Sequence, residues 1–248
     1  MENVERKYQP VEQFADYAPE PTRSSRVIFF LLCATLVFSI VAYGAVDVWA
    51  LGILSLIAGV IAVLWLGEAF FKKEFYYNPS FLPVPLLGLI VIGLVQLLPV
   101  RSDVADGLLG APPVASLSLN PYATRLFIVQ LIVYLVFFVA ALTFVNNQKR
   151  LKNIVLLSII FGAAMAFFGI LQRLASPEAL IYGLRPTPHA IPFASFVNQH
   201  HFAAFMNMTL GLTLGILFGK AAKKDKNLLL LIAAFLMGIA LILTGSRG

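Results

Sequence analysis

Charge is what this sequence has least of. Only 12% of its 248 residues are Asp, Glu, Lys or Arg, about half the share found in an ordinary soluble domain. Cysteine is nearly absent too: Cys33 stands alone, so a disulfide-stapled scaffold is excluded and nothing follows about redox compartment. Gly (17) and Pro (14) are too sparse for a collagen-like or low-complexity chain. What fills the space is apolar. The 60% hydrophobic share and mean hydropathy of +0.87 leave too little polar surface for a water-soluble globule. The net charge of +6 would suit nucleic acid if it were clustered, but the charges sit between apolar runs, and no nucleic-acid partner is read from them. The composition is that of an integral membrane protein.

A helix crosses a bilayer with roughly 20 mostly apolar residues. Charge-free windows of that size lie between Arg26 and Asp47, Asp47 and Glu68, Glu74 and Arg101, Arg125 and Lys149, Lys152 and Arg173, His201 and Lys220, and Lys226 and Arg247. They are apolar on every face and lack the alternation of barrel strands. The pattern predicts an all-α polytopic membrane protein of about seven transmembrane helices, near 27–45, 48–71, 81–99, 122–145, 153–175, 202–219 and 228–245. Residues 1–26, with Pro10, Pro19 and Pro21, read as a flexible polar tail ahead of a membrane domain spanning 27–248. Ala42-Tyr43-Gly44 is a passable signal-cleavage site. However, five acidic residues precede the first apolar run, and that run exceeds the usual 7–15 residues of a signal core.

Orientation follows from where Lys and Arg fall in the short connections. Thirteen of the 18 basic residues collect on one side, from Arg6, Lys7, Arg23 and Arg26 through Lys72 and Lys73, then Lys149, Arg150 and Lys152, to Lys220, Lys223, Lys224 and Lys226. The amino terminus is therefore read as cytoplasmic. Trp49, Tyr122 and Tyr182 fit an outer aromatic belt, and Tyr76 and Tyr77 an inner one. Two outward connections, 100–121 and 176–201, exceed what joining requires, which directs attention to the outer face.

Every lysine falls inside and every outward basic residue is an arginine: Arg101, Arg125, Arg173, Arg185 and Arg247. A guanidinium presents a planar fork that matches phosphate oxygens in pairs and keeps its charge when buried. Several arginines at one depth would suit a lipid phosphate or pyrophosphate, whereas singly each would snorkel to the headgroups. All three histidines, His189, His200 and His201, share the fifth-to-sixth connection. Adjacent His200 and His201 cannot easily ligate one ion, so no metal or other cofactor is expected. Hydrogen bonding to a sugar or phosphate, acid/base use and a structural role remain open for them. Asn198, Gln199, His200 and His201 open helix six, where unpaired backbone N–H groups favour an anion and where Asn198 equally suits an ordinary cap. Glu68, one turn from an inner helix end, is read as pairing with Lys72 four residues on.

Three stretches together resemble the O-antigen ligase and polymerase (Wzy-like) superfamily. Tyr43-Gly44-Ala45-Val46-Asp47-Val48-Trp49-Ala50 is similar to that family's Gly…Trp-Ala turn between its first two helices. Phe196-Val197-Asn198-Gln199-His200-His201-Phe202-Ala203 is similar to its F-x-N-x-N-x-F-A helix start, departing at His200, where a second Asn is more usual. Leu243-Thr244-Gly245-Ser246-Arg247-Gly248 is similar to its T-x-S-R-G helix end. The resemblance implies a membrane glycosyltransferase at the outer face of the bacterial cytoplasmic membrane. Such an enzyme moves a glycan from an undecaprenyl pyrophosphate carrier to lipid A-core, a growing polysaccharide or a protein, with Arg247 on the carrier's phosphates. The binding set expected is Arg247, Arg173, Arg185, Arg125, Asn198, His200 and His201, with membrane lipids and polysaccharide-assembly proteins as further partners. Family members continue past Ser-Arg-Gly into more helices and an outer loop bearing an essential histidine. The expectation is thus of an amino-terminal portion, and no catalytic residue is assigned. Two rival readings are a non-enzymatic carrier or flippase, which should show mid-membrane charges or broken helices, and a scaffold subunit of an assembly complex.

Overall fold

A computed structural model describes residues 22–99, 116–175, 180–187, 190–219 and 224–246. Among the described residues run seven α-helices: α1 Arg23–Val41, α2 Val48–Lys72, α3 Val84–Gln96, α4 Pro121–Phe144, α5 Gln148–Ala175, α6 Gln199–Phe218 and α7 Lys224–Leu243. Six of them have the length and hydropathy to cross a bilayer. Large apolar side chains such as Leu56, Val63, Phe70 and Phe71 on α2 and Leu228, Leu229 and Phe235 on α7 stand exposed, an arrangement suited to lipid and not to water. The chain is a multi-pass helical membrane protein.

The helix ends have local causes. Thr22 caps α1, its hydroxyl accepting from the Ser25 N–H at 3.0 Å. The helix closes at Val41, short of the expected 45, because Tyr43, Gly44 and Ala45 all take left-handed backbone, at φ of 57°, 73° and 55°. Only glycine does so freely. A Cβ at Gly44 would also come within 2.9 Å of the Phe196 ring. The third helix was expected over 81–99 and has 13 residues, about 20 Å at 1.5 Å per residue against a hydrocarbon core of about 30 Å. Prolines shorten it: Pro83 and Pro85 bracket its first residue, and two tightened i→i−3 bonds, from Leu97 to Leu94 and Leu98 to Val95, run into Pro99.

The described parts of Met1–Leu31 and Ile53–Asn147 form one compact unit, and those of Leu32–Gly52 and Gln148–Gly248 a second. In the first, α3 packs on α4 through Ile90, Ile128 and Leu131. The Ser118 N–H donates to the Gln96 carbonyl at 2.9 Å, joining the end of α3 to the start of α4. At the other end of α4, the Asn78 amide donates to the Leu142 carbonyl at 3.2 Å. The Trp65 indole donates to the Tyr76 carbonyl at 3.0 Å, and Glu68 pairs with Lys72 at 3.0 Å along α2 as the spacing predicts.

In the second unit α5, α6 and α7 pack with the end of α1 around Phe193, Phe196, Phe202, Met206, Met237 and Ala166. Here α5 and α6 approach so closely that a Cβ at Gly162 would meet the Thr209 side chain at 2.9 Å. Thr209 and Thr213 satisfy their hydroxyls on their own helix, donating to the Phe205 carbonyl at 3.0 Å and the Thr209 carbonyl at 2.7 Å.

Part of the long α5–α6 connection is core. Ile181, Phe193, Ala194, Ser195 and Phe196 are all buried, and buried backbone needs partners. Ile181 and Arg185 exchange N–H···O bonds of 3.0 and 3.1 Å, as do Phe193 and Phe196 at 3.1 and 3.0 Å. Gln199 N–H donates to the Ile191 carbonyl at 2.8 Å. Gln172 on α5 holds the near end of this connection, donating to the Leu180 carbonyl at 2.6 Å.

Candidate functional site

The α1–α2 turn, the α5–α6 connection, the start of α6 and the end of α7 meet at one end of the second unit. Ser195, fully buried, donates to the Ile40 carbonyl at the end of α1 at 2.6 Å. Tyr182 donates to the Val41 carbonyl at 2.8 Å, and burial pushes its phenol above the usual tyrosine range.

Asp47 and Arg185, 138 positions apart, form a two-pronged ion pair with Nη1–Oδ2 of 2.5 Å and Nη2–Oδ1 of 3.0 Å. The guanidinium carbon lies 4.7 Å from the centre of the Tyr43 ring, within cation–π range. Around the pair stand Tyr43 against Trp49 and Tyr182, at ring separations of 6.5 and 5.8 Å, and Phe168 against Tyr182 at 5.6 Å. The hydrogen bonds from Arg185 hold the Asp47 carboxyl below the ordinary carboxylate range, Trp49 adding a smaller effect. The same pairing raises the already high pKa of Arg185.

A group whose pKa is depressed on folding contributes stability above its unfolded value, about 4 for aspartate. That contribution fades as pH falls through the lower folded value. The join between the α1–α2 turn and the 180–187 segment is therefore expected to be full at neutral pH and to loosen only under stronger acid. A thermal-unfolding series over pH should show this loss in the parent and not in Asp47→Asn. With side-chain exposures of 36% for Arg185 and 22% for Asp47, solvent screens the pair. A double-mutant cycle with Asp47→Ala and Arg185→Ala should return about 1 kcal/mol of coupling. Zero coupling would make the contact incidental.

The other expected residues fall as follows. Asn198 caps α6, its side-chain oxygen accepting from the His200 N–H at 2.8 Å. The His200 ring Nδ1 sits 2.9 Å from the Ser246 hydroxyl beyond the end of α7, so the stretches 196–203 and 243–246 touch. Gly44 lies against Phe196, so the stretch 43–50 touches 196–203. His201 is exposed beside His200, and Arg173 is exposed in the last turn of α5, where a cation complements the helix dipole. Arg125 is exposed in the first turn of α4, in the first unit. Arg247, Arg101 and His189 lie outside the described residues. Among the described residues no three His, Cys, Asp or Glu side chains gather to hold a metal.

Asp47 went unassigned in the sequence, where it served only to bound two apolar runs. Its signal was there to be read: it is the lone carboxylate in the short turn between the first two spans. No family model matches this chain, and no curated protein or solved structure does either.

Proposed function

We propose that the chain is an O-antigen ligase-like glycosyltransferase of the bacterial cytoplasmic membrane, with its amino terminus inside and its site at the outer face. Its substrate would be a glycan on an undecaprenyl pyrophosphate carrier, passed to lipid A-core or a polysaccharide. The observation that carries this reading is the meeting of the three stretches on which the family resemblance rests. Residues 43–50, 196–203 and 243–246 are distant in sequence, yet Gly44 abuts Phe196 and His200 bonds Ser246. In such a transfer the bond between the sugar's anomeric carbon and the pyrophosphate breaks as an acceptor hydroxyl attacks. Charge grows on the leaving phosphate, and fixed guanidinium groups stabilise it. Arg247, next to Ser246, is the residue assigned to that charge, and a general base must take the acceptor's proton.

The test is transfer of lipid-linked glycan by the full-length gene product in membranes, because an amino-terminal portion without the family's histidine-bearing loop is not expected to act alone. Arg247→Lys is expected to cost about 10²-fold or more in rate at unchanged protein level, because a point charge does not replace a two-pronged donor at a leaving group. Transfer at the parental rate would remove Arg247 from the site. Absence of any transfer by the parent would sink the enzyme reading and turn attention to a carrier or scaffold role.

A further inference from the structure

The cluster around Asp47 has a chemistry of its own that phosphate binding does not use. Its guanidinium already carries a carboxylate, so it is poorly placed as a free anion receptor. What it offers instead is mixed. Of about five N–H donors on Arg185 and four lone-pair sites on Asp47, the two hydrogen bonds between them use two of each. Unused donors and acceptors thus stand side by side on partly exposed groups. Beside them is the Trp49 indole, half exposed at 50%, edge-on to Tyr43 at 87° and to Phe38 at 85°. A flat apolar ring next to paired donors and acceptors matches a pyranose ring. One face of the sugar is C–H and packs on an aromatic, while its edge carries neighbouring hydroxyls that both donate and accept.

We propose that this end of the second unit holds a saccharide subsite, in which a sugar ring lies on Trp49 and adjacent hydroxyls bridge Asp47 and Arg185. The inference deepens the glycosyltransferase reading by giving the transferred glycan a seat, and it rests on that reading only for the identity of the glycan. The arrangement is built and not adventitious. Left-handed backbone from Tyr43 to Ala45 sets the turn that presents Asp47 and Trp49, and at Tyr43 and Ala45, which are not glycine, such strain persists only where surrounding structure holds it. Tyr182 fastens the opposing segment to the end of α1 through the Val41 carbonyl. It acts as a positioning residue.

The chain has two tryptophans, and the second, Trp65, is stacked on Phe75 at 5.3 Å in the first unit. A Trp65→Phe protein therefore reports from Trp49 alone. The full chain in lipid nanodiscs, free of sugar-based detergent, would be titrated with maltotriose, mannotriose, galactotriose and chitotriose while indole fluorescence is read. At least one trisaccharide should give a saturable change. Asp47→Asn should weaken that binding at least about tenfold, as expected for loss of a charge-assisted hydrogen bond. Gly211→Ala on α6, where nothing lies within 4 Å of the Cβ position, should stay within about twofold in affinity. If Asp47→Asn does not yield a monodisperse protein, Trp49→Phe read by calorimetry takes its place and should abolish binding. No saturable response to any of the four sugars, or equal affinity in Asp47→Asn, would overturn the subsite and leave Trp49 as an interfacial belt residue. Because no carrier is present, the assay separates the two proposals. Binding without transfer would spare the subsite and sink the enzyme, and transfer without binding would do the reverse.

Discussion

Phe202→Ala is expected to destabilise the second unit by about 3 kcal/mol, at the lower end of the range for truncating a buried aromatic. The side chain is fully buried, stacked on Phe193 at 4.7 Å and edge-on to Phe196 at 5.7 Å. In lipid the transfer part of such a loss is small, since acyl chains are as apolar as the core. The cavity and the lost ring contacts make up most of the effect, which is why the low end of the range applies. For a chain of this size the unfolding midpoint should fall by roughly 10 °C. Phe202→Leu, which fills more of the space, should recover much of it. A midpoint unchanged in Phe202→Ala would mean that the buried 193–196 segment does not depend on this ring. The damage should also reach the α6 start, where Asn198 and His200 stand one turn or less away.

Gly169→Ala perturbs the same ring from the other side, by adding volume. A Cβ there would lie 2.4 and 2.6 Å from two ring carbons of Phe193 and 3.2 Å from the Ala194 Cβ. The ring cannot easily yield, because Phe193 is buried, stacked on Phe202 and held by its exchange of backbone bonds with Phe196. Overpacking of this kind costs about 1–3 kcal/mol, and a midpoint lower by roughly 3–10 °C is expected. Gly211→Ala on α6 is the control: nothing lies within 4 Å of its Cβ position, so helix propensity alone should leave stability equal or slightly raised. The two perturbations should also be coupled. The space left by Phe202→Ala gives the Phe193 ring somewhere to go, so the double variant should lose less than the sum of its parts. Strict additivity would show that Gly169 and Phe202 do not act through Phe193.

The helical membrane class and the number of apolar runs were legible in the amino-acid sequence alone. Hydropathy and the placement of lysine are properties of a local stretch, read against a solvent of known thickness, and need no knowledge of neighbours. The Glu68–Lys72 pair and the Asn198 cap were legible for the same reason, since helical spacing alone brings those groups together. The length of α3 was less so: its apolar run continues past the prolines that end the helix, and hydropathy does not register a missing N–H. Packing alone sets the company that residues of the turns and helix ends keep. The residue type of Arg185 suits a phosphate, and packing seats it on Asp47, 138 positions away. His200 meets Ser246 across a separation of 46. The α5–α6 connection, read as a loop, partly enters the core because Ser195 and its neighbours find backbone partners there. Such pairings depend on how closely helices approach, which Gly44, Gly162 and Gly169 permit through the Cβ each lacks, and no local pattern of hydropathy encodes that distance.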